Sequence, residues 1–174
     1  MKKLDNIKLL VLDVDGVLTT GQITYSSSGE ELKSFDVKDG AGLKYWKRAG
    51  GKFAVITGRK SQAVQRRTAE LDADFIVQDC KNKYPALIQA LEELGFTPEQ
   101  TAIVGDDLPD LPMMYDAGFA ACPADAVSEV KKQVDYICNL PGGKGCVREV
   151  VEYILKKSGR WDQVFARYLP ENRK

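Results

Sequence analysis

The sequence contains no histidine. This absence excludes Ser-His-Asp and Cys-His catalytic machinery, which uses imidazole as a base, and it excludes zinc sites that are built on imidazole. Acid–base chemistry in this chain must therefore come from carboxylate, lysine, tyrosine or cysteine side chains.

Other absences narrow the class of protein further. The formal net charge at pH 7 is zero, so the composition gives no reason to expect binding to nucleic acid or to an anionic membrane. No apolar run approaches the roughly 20 residues that span a bilayer, and the first residues lack the apolar core of a signal peptide. The four cysteines form no Cys-x-x-Cys pair. We expect a cytoplasmic protein with neither a nucleic-acid partner nor a membrane partner.

The order of the predicted elements indicates an α/β fold. The chain has 174 residues, of which 44% are hydrophobic and 29% are charged, as is typical of a soluble globular protein. Short apolar segments alternate with amphipathic ones, and this alternation predicts a doubly wound parallel sheet with helices on both faces. We expect one domain over residues 1–158 and a polar C-terminal tail over residues 159–174. Strands are predicted at 9–12, 53–56, 75–77, 101–104 and 118–121.

A small β-hairpin insertion is predicted after the first strand. Residues 21–26 and 31–36 alternate apolar and polar side chains around a polar turn. This position directly after the first strand lets the hairpin project over the end of that strand. Beyond the hairpin, Asp39 is predicted to cap a helix that runs from about Gly40 to Ala49.

Two aspartates end the first predicted strand. Residues 9–12 are apolar at every position, which is typical of a strand buried on both sides in a parallel sheet, and Asp13 and Asp15 follow them. In open α/β sheets, ligands bind outside the carboxyl ends of the strands. We therefore expect both carboxylates to lie at a functional site.

Further polar residues follow other predicted strands and should meet at the same edge of the sheet. Several carboxylates in one place repel each other unless a cation joins them, and hard oxygen ligands without imidazole or thiolate suit Mg²⁺. A lysine, a hydroxyl and free backbone N–H groups suit the oxygens of a phosphate. This combination favours phosphoryl transfer. The residues concerned are Thr57, Gly58, Arg59, Lys83, Asp106, Asp107 and Asp110.

The spacing of the first two aspartates fits a two-step reaction. A carboxylate that attacks phosphorus forms an aspartyl-phosphate, and a second carboxylate can carry the protons that both steps require. Asp13 fits the nucleophile and Asp15 fits the acid–base residue. A phospho-acceptor domain of the response-regulator kind is the alternative from a different class, although it lacks an acid–base residue at the position of Asp15.

Four motifs resemble, in order and spacing, those of the haloacid dehalogenase superfamily of phosphatases. Segments at 35–43, 82–83, 105–110 and 142–150 are similar to the 3-deoxy-D-manno-octulosonate 8-phosphate phosphatases, and the match runs from about residue 6 to residue 158. The resemblance implies a phosphatase for a small 2-keto-3-deoxy sugar acid phosphate, with a nonulosonate 9-phosphate phosphatase as the alternative. The motifs are Asp13-Val14-Asp15-Gly16-Val17-Leu18-Thr19, Thr57-Gly58-Arg59, Lys83 and Gly105-Asp106-Asp107.

The resemblance also implies a role for each matched residue. Asp13 would be the nucleophile and a Mg²⁺ ligand, and Asp15 would be the acid–base residue with its backbone carbonyl on the metal. Asp106 would be the other direct carboxylate ligand, with Asp107 or Asp110 in support. Lys83 would belong to the catalytic set, and the substrate-binding residues would be Thr57, Gly58, Arg59, Lys83 and Asp107.

The spacing between motifs leaves no room for a cap domain, because only a hairpin and single elements separate the motifs. Members of the superfamily without a cap are homotetramers in which a neighbouring subunit helps to cover each site, so the resemblance implies a homotetramer here. Candidates for contacts with the substrate carboxylate or with another subunit are Lys38, Arg66, Arg67, Lys144 and Arg148.

Overall fold

A six-stranded parallel sheet organises the chain, which the computed structural model describes from residue 4 to residue 170. The strands are β1 (Leu9–Leu12), β2 (Thr24–Tyr25), β3 (Glu31–Leu32), β4 (Lys52–Ile56), β5 (Phe75–Val77), β6 (Thr101–Val104), β7 (Phe119–Cys122) and β8 (Tyr136–Ile137). The order across the sheet is β5-β4-β1-β6-β7-β8, and the two short antiparallel strands β2 and β3 form a separate hairpin.

The chain reverses its direction of travel across the sheet at β1. After β1 it builds β4 and β5 on one side, and it then returns to place β6 on the other side of β1. Such a switch point opens a crevice at the carboxyl ends of the two strands that flank it. The helices are α1 (Val37–Arg48), α2 (Gln62–Glu70), α3 (Lys83–Leu94), α4 (Leu111–Met114), α5 (Ser128–Lys131), α6 (Cys146–Lys157) and α7 (Trp161–Phe165).

Helices cover both faces of the sheet, and the two central strands, β1 and β6, are buried at every position. Alternate residues of a strand point to opposite faces. In β1, Leu10 and Leu12 belong to a core shared with α1 and α6. Leu9 and Val11 belong to a second core shared with α3 and α4. The predicted doubly wound architecture is therefore confirmed. In residues 4–170 only the hairpin separates β1 from α1, which agrees with the expected lack of a cap.

The prediction that Asp39 caps α1 was wrong. The helix begins at Val37, and the Asp36 side chain caps it by accepting a hydrogen bond of 2.6 Å from the Lys38 N–H. Asp39 instead lies inside α1 with 1% of its surface exposed. Its carboxylate accepts hydrogen bonds from the N–H groups of Gly145 (3.2 Å) and Arg148 (2.8 Å) at the start of α6. Asp39 thus caps a helix that begins more than 100 residues further along the chain.

The C-terminal segment after Gly159 is partly helical. It contains α7 and a 3₁₀ turn at Ala166–Tyr168. The ring of Trp161 lies 6.2 Å and that of Tyr168 5.9 Å from the ring of Tyr45 on α1, so this segment packs against the domain. Residues 171–174 of the predicted tail lie outside the described residues. Among residues 4–170 no helix has both the length and the apolar character needed to cross a bilayer.

Candidate active site

An acidic cleft of about 240 Å³ lies at the carboxyl ends of β1 and β6. These two strands are neighbours in the sheet, so the residues that follow them are brought together. All the residues predicted for the site line this cleft, with the exception of Thr57. The lining residues are Asp13, Asp15, Gly58, Arg59, Cys80, Lys81, Lys83, Asp106, Asp107, Pro109 and Asp110.

A tight turn after β1 brings Asp15 back over the end of the strand. The N–H groups of Val17, Leu18 and Thr19 all donate to the carbonyl of Val14 at 2.9–3.2 Å. Gly16 has a φ of 97°, and a Cβ at this position would lie 2.1 Å from the Asp106 carboxylate. Glycine is therefore required here both for the turn and for the close approach of Asp106.

Asp110 organises the loop after β6. One oxygen of its buried carboxylate accepts hydrogen bonds from the N–H groups of Asp106 (3.0 Å) and Asp107 (3.3 Å). The other oxygen accepts a charge-assisted hydrogen bond of 2.7 Å from Lys83. Asp110 therefore links the acidic loop to the start of α3.

Lys83 is a buried cation beside Asp13 in the cleft. It is the first residue of α3, it is 7% exposed, and its Nζ lies 2.8 Å from the Asp13 carboxylate. Burial by itself would lower the pKa of Lys83, but the charges of Asp13 and Asp110 outweigh that effect and the pKa is raised. Lys83 therefore stays positively charged at neutral pH, next to the predicted nucleophile.

The carboxylates of the cleft carry more negative charge than this lysine balances. Oxygen atoms of Asp13, Asp106 and Asp110 lie within 4.8 Å of one another. Burial, and secondarily the neighbouring carboxylates, raises the pKa of Asp106 to about 8, and burial together with Asp110 raises the pKa of Asp13 to about 6. Oδ1 of Asp106 is buried and has no hydrogen-bond partner. A divalent cation with a preference for oxygen ligands, such as Mg²⁺, fits this donor set.

Asp15 lines the same cleft but does not belong to this cluster of three carboxylates. Its Oδ1 forms an ion pair with Lys33 and lies 3.4 Å from the Thr19 hydroxyl, while Oδ2 lies 3.8 Å from Nε of Arg59. The Asp15 carboxylate therefore has its own cationic partners, Lys33 and Arg59, at the cleft. The backbone carbonyl of Asp15 as a metal ligand stays a prediction.

The hairpin contributes two residues that the sequence analysis missed. Glu31 and Lys33 lie two positions apart, so they project to the same side, where Glu31 pairs with Arg59 and Lys33 pairs with Asp15. The alternation of the hairpin and its place directly after β1 are visible in the sequence. The face that turns towards the cleft depends on how the hairpin packs, which alternation alone does not define.

The other residues predicted to contact the substrate differ in whether they line the cleft. Thr57 follows β4 directly and is buried, but it does not line the cleft. Asp107 lines the cleft, and its carboxylate accepts a hydrogen bond of 2.7 Å from the Leu108 N–H. The phosphate-binding roles of these residues stay predictions. Within residues 4–170 the cleft is not lined by any of the other predicted cations, Lys38, Arg66, Arg67, Lys144 and Arg148.

The crevice at the switch point, the three clustered carboxylates and the buried lysine together define a metal-dependent phosphoryl-transfer enzyme. Comparison with known proteins leads to a family. A family model for haloacid dehalogenase-like hydrolases matches residues 29–118. The chain belongs to the haloacid dehalogenase-like hydrolases. This membership favours catalysis over the alternative of a phospho-acceptor signalling domain.

The individual relatives are similar over nearly the whole chain. The chain is 42% identical over 163 residues to the 3-deoxy-D-manno-octulosonate 8-phosphate phosphatase KdsC of Escherichia coli, with 94% of this chain and 87% of that protein covered. The Moraxella catarrhalis 3-deoxy-D-manno-octulosonate 8-phosphate phosphatase, solved with magnesium, phosphate and KDO, has a TM-score of 0.92 at 42% identity and covers 96% of both chains. The cobalt-bound enzyme of Haemophilus influenzae has a TM-score of 0.89 at 40% identity and covers 94% of this chain and 99% of its own.

Proposed function

We propose that this chain is a Mg²⁺-dependent phosphatase that releases phosphate from 3-deoxy-D-manno-octulosonate 8-phosphate, a 2-keto-3-deoxy sugar acid phosphate. The observation that most strongly supports this function is the similarity to the Moraxella enzyme, whose structure holds magnesium, phosphate and KDO. The cleft of this chain supports the same chemistry, because it offers clustered carboxylates for the metal and a buried lysine beside Asp13.

In the first step, a carboxylate oxygen of Asp13 forms a bond to phosphorus as the bond from phosphorus to the sugar oxygen breaks. Asp15 gives its proton to the departing sugar oxygen, so the leaving group departs as an alcohol. Lys83 balances charge on Asp13 throughout, and its short link to Asp110 holds it in place. Bound Mg²⁺, held by Asp13 and Asp106, would supply neutralisation of the phosphate charge.

In the second step, a water molecule attacks the phosphorus of the aspartyl-phosphate. Asp15 now holds no proton, and its carboxylate accepts one from the attacking water. Inorganic phosphate leaves and the Asp13 carboxylate is restored. Two carboxylates with separate surroundings suit this division of roles, because Asp13 lies within the acidic cluster and Asp15 faces the hairpin.

A phosphate-release assay with Mg²⁺ tests the substrate. We expect 3-deoxy-D-manno-octulosonate 8-phosphate to have the highest kcat/KM in a panel that also contains a nonulosonate 9-phosphate and hexose 6-phosphates. Equal values for the hexose phosphates would contradict the proposed substrate, and a preference for the nonulosonate ester would favour the alternative of the same class.

The variant Asp13→Asn tests the nucleophile. The amide does not form an aspartyl-phosphate, so we expect kcat to fall by at least about 10³-fold. The matched control is Asp5→Asn, the same substitution at an exposed aspartate remote from the cleft, which should keep wild-type activity. Substantial turnover by pure Asp13→Asn protein would refute the role of Asp13.

We further propose that the protein is a homotetramer in which a neighbouring subunit covers the cleft. In support, the hairpin and the start of α1 expose four large apolar side chains, and exposed apolar surface is typical of an interface. These side chains are Ile23, Tyr25, Leu32 and Val37. Light scattering should give four times the chain mass of 19.3 kDa. A monomer at assay concentration would contradict the proposal, and Ile23→Ser should shift the mass downwards.

We also propose that the enzyme works in the cytoplasm. All four cysteines are free, and disulfides are characteristic of oxidising compartments. Cell fractionation followed by immunodetection tests this location, and recovery of the protein outside the cytoplasmic fraction would contradict it.

A further inference from the structure

We propose that Lys33, a hairpin residue outside the predicted catalytic set, is a positioning residue that orients Asp15 for proton transfer. The inference rests on the acid–base role proposed above for Asp15. It assigns to the hairpin a part in the reaction itself, in addition to any part in covering the cleft.

The contacts of Asp15 are divided between its two oxygens. Oδ1 is in an ion pair with Lys33 and lies 3.4 Å from the Thr19 hydroxyl. Among residues 4–170, the partner of Oδ2 is the more distant Nε of Arg59, at 3.8 Å. The carboxylate is therefore anchored through one oxygen, and its other oxygen is the one left for exchange of a proton with the leaving group or with water.

The side chain of Lys33 is enclosed by its neighbours, unlike that of a typical surface lysine. Its side chain is only 2% exposed, and lysine is almost never buried to that degree unless it is paired. The Lys33 Nζ also lies 3.4 Å from Glu31, which in turn pairs with Arg59. Two adjacent ion pairs therefore attach the hairpin to the residues that follow β1 and β4.

Fixing the carboxylate in one orientation affects the rate because proton transfer depends steeply on geometry. A displacement of about 1 Å at a reacting group can cost roughly 10²-fold in rate. Without Lys33, the contact left to Oδ1 of Asp15 within the described part of the chain is the longer one to Thr19, so the carboxylate can turn about its side-chain bonds. We expect the rate to fall most for substrates whose leaving group needs a proton.

Two aryl esters of similar size separate this role from others. Phenyl phosphate has a poor leaving group that needs the proton of Asp15, whereas p-nitrophenyl phosphate has a good leaving group that needs it far less. Since kcat/KM reports the steps up to the first irreversible bond cleavage, it contains the proton transfer to the leaving group. We expect Lys33→Met to lower kcat/KM on phenyl phosphate by about tenfold more than on p-nitrophenyl phosphate.

Three variants complete the design. Lys33→Arg keeps the positive charge, so it should restore most of the kcat/KM lost on phenyl phosphate and return the ratio between the two esters towards its wild-type value. Lys44→Met removes an exposed lysine of α1 and should leave both values unchanged. In an Asp15→Asn background, Lys33→Met should add no further discrimination, because it acts through Asp15. The ratio between the two esters is measured on one preparation, so it does not depend on the fraction of folded enzyme.

The outcomes distinguish the inference from the function on which it rests. If Lys33→Met lowers both esters equally, Lys33 only attaches the hairpin, and the inference is overturned. If only the sugar phosphate is affected and neither aryl ester changes, Lys33 contacts the substrate, and the inference is again overturned. If Asp15→Asn itself shows no discrimination, the proposed acid role of Asp15 fails; if Asp15→Asn discriminates and Lys33→Met does not, the inference alone fails.

Discussion

The metal-free protein should lose stability as the pH rises, because Asp106 is buried in an acidic cluster. Its pKa is about 8 in the folded protein against an ordinary value of 3.8, primarily because of burial and secondarily because of the charge of Asp13. The folded protein therefore holds a proton that the unfolded chain has already released above about pH 4. Asp106 accordingly lowers the free energy of unfolding progressively from about pH 4 to about pH 8.

The size of the effect follows from the shift in pKa. Each pKa unit corresponds to about 1.4 kcal/mol, which sets a ceiling of about 6 kcal/mol for Asp106. Asp13 titrates in the same cluster, so the two carboxyl groups share the shift and Asp106 does not reach this ceiling. We therefore expect the free energy of unfolding to fall by about 3 kcal/mol between pH 5 and pH 8. For a domain of this size, that corresponds to a fall in Tm of roughly 6–12 °C. Mg²⁺ at a hundred times its Kd should return about 2.7 kcal/mol at pH 8.

The assay is thermal unfolding followed by circular dichroism, in EDTA and in MgCl₂, at pH 5 and at pH 8. The protein concentration is held constant, because association also shifts Tm. Asp106→Asn removes the charge, so in EDTA the Tm of the variant should rise relative to that of the wild-type protein as the pH rises. Mg²⁺ should raise the Tm of the variant much less than that of the wild-type protein. The difference in Tm between the two proteins at each pH isolates the contribution of Asp106 from that of the other titrating groups.

Two results would refute this reasoning. The first is a difference in Tm between Asp106→Asn and wild type that stays constant from pH 5 to pH 8. The second is a gain in wild-type Tm on addition of Mg²⁺ that is equal at both pH values, since protonated Asp106 should bind the ion poorly at pH 5.

Two further predictions concern the neighbours of this cluster. Lys83→Met leaves the carboxylates of Asp13 and Asp110 unpaired, so the metal-free protein should lose about 3–5 kcal/mol and the Mg²⁺-loaded protein less, as measured by denaturant unfolding with and without the ion. An equal loss in both states would contradict it. Gly142→Ala places a Cβ 1.8 Å from the Gly16 carbonyl oxygen, so the loop before α6 must move away from the turn that carries Asp15, at a cost of about 1–3 kcal/mol. Gly58→Ala, whose Cβ would lie 3.6 Å from its nearest neighbour, is the matched control for unfolding and should leave Tm unchanged.

The sheet and the position of the site were predictable because both depend on local sequence patterns. A strand buried on both faces appears as an uninterrupted apolar run, and the polar residues after such runs in β1 and β6 must meet at one edge of the sheet. The bounds of β1 and β6 were predicted to the residue, at Leu9–Leu12 and Thr101–Val104. The chemistry was predictable for a different reason, because a chain without histidine has few side chains other than carboxylates and lysine that can transfer protons.

The contacts between distant segments were not predictable from the same patterns. Asp36 and Asp39 both precede the apolar face of α1, and either suits a helix cap by its chemistry. Which aspartate caps α1 depends on the start of α6. The cap residue of α6, Gly145, has no side chain that could accept hydrogen bonds from the first N–H groups of that helix. The Asp39 carboxylate accepts them, and this leaves Asp36 to cap α1. Lys33 presents the same difficulty, because its partner Asp15 is 18 residues away and belongs to another element.

The distribution of charge in the cleft indicates which half of it needs the metal. In the half formed by the hairpin, the two acids Asp15 and Glu31 face the two cations Lys33 and Arg59, and this half is neutral. In the other half, the three carboxylates of Asp13, Asp106 and Asp110, when all are ionised, face Lys83 as their cation. Asp107 and Lys81 also line the cleft, and their opposite charges add no net charge. The deficit of two positive charges in this half is the charge of one divalent cation. The unpartnered oxygen of Asp106 lies in that same half, so a single Mg²⁺ there would balance the charge and also satisfy that oxygen.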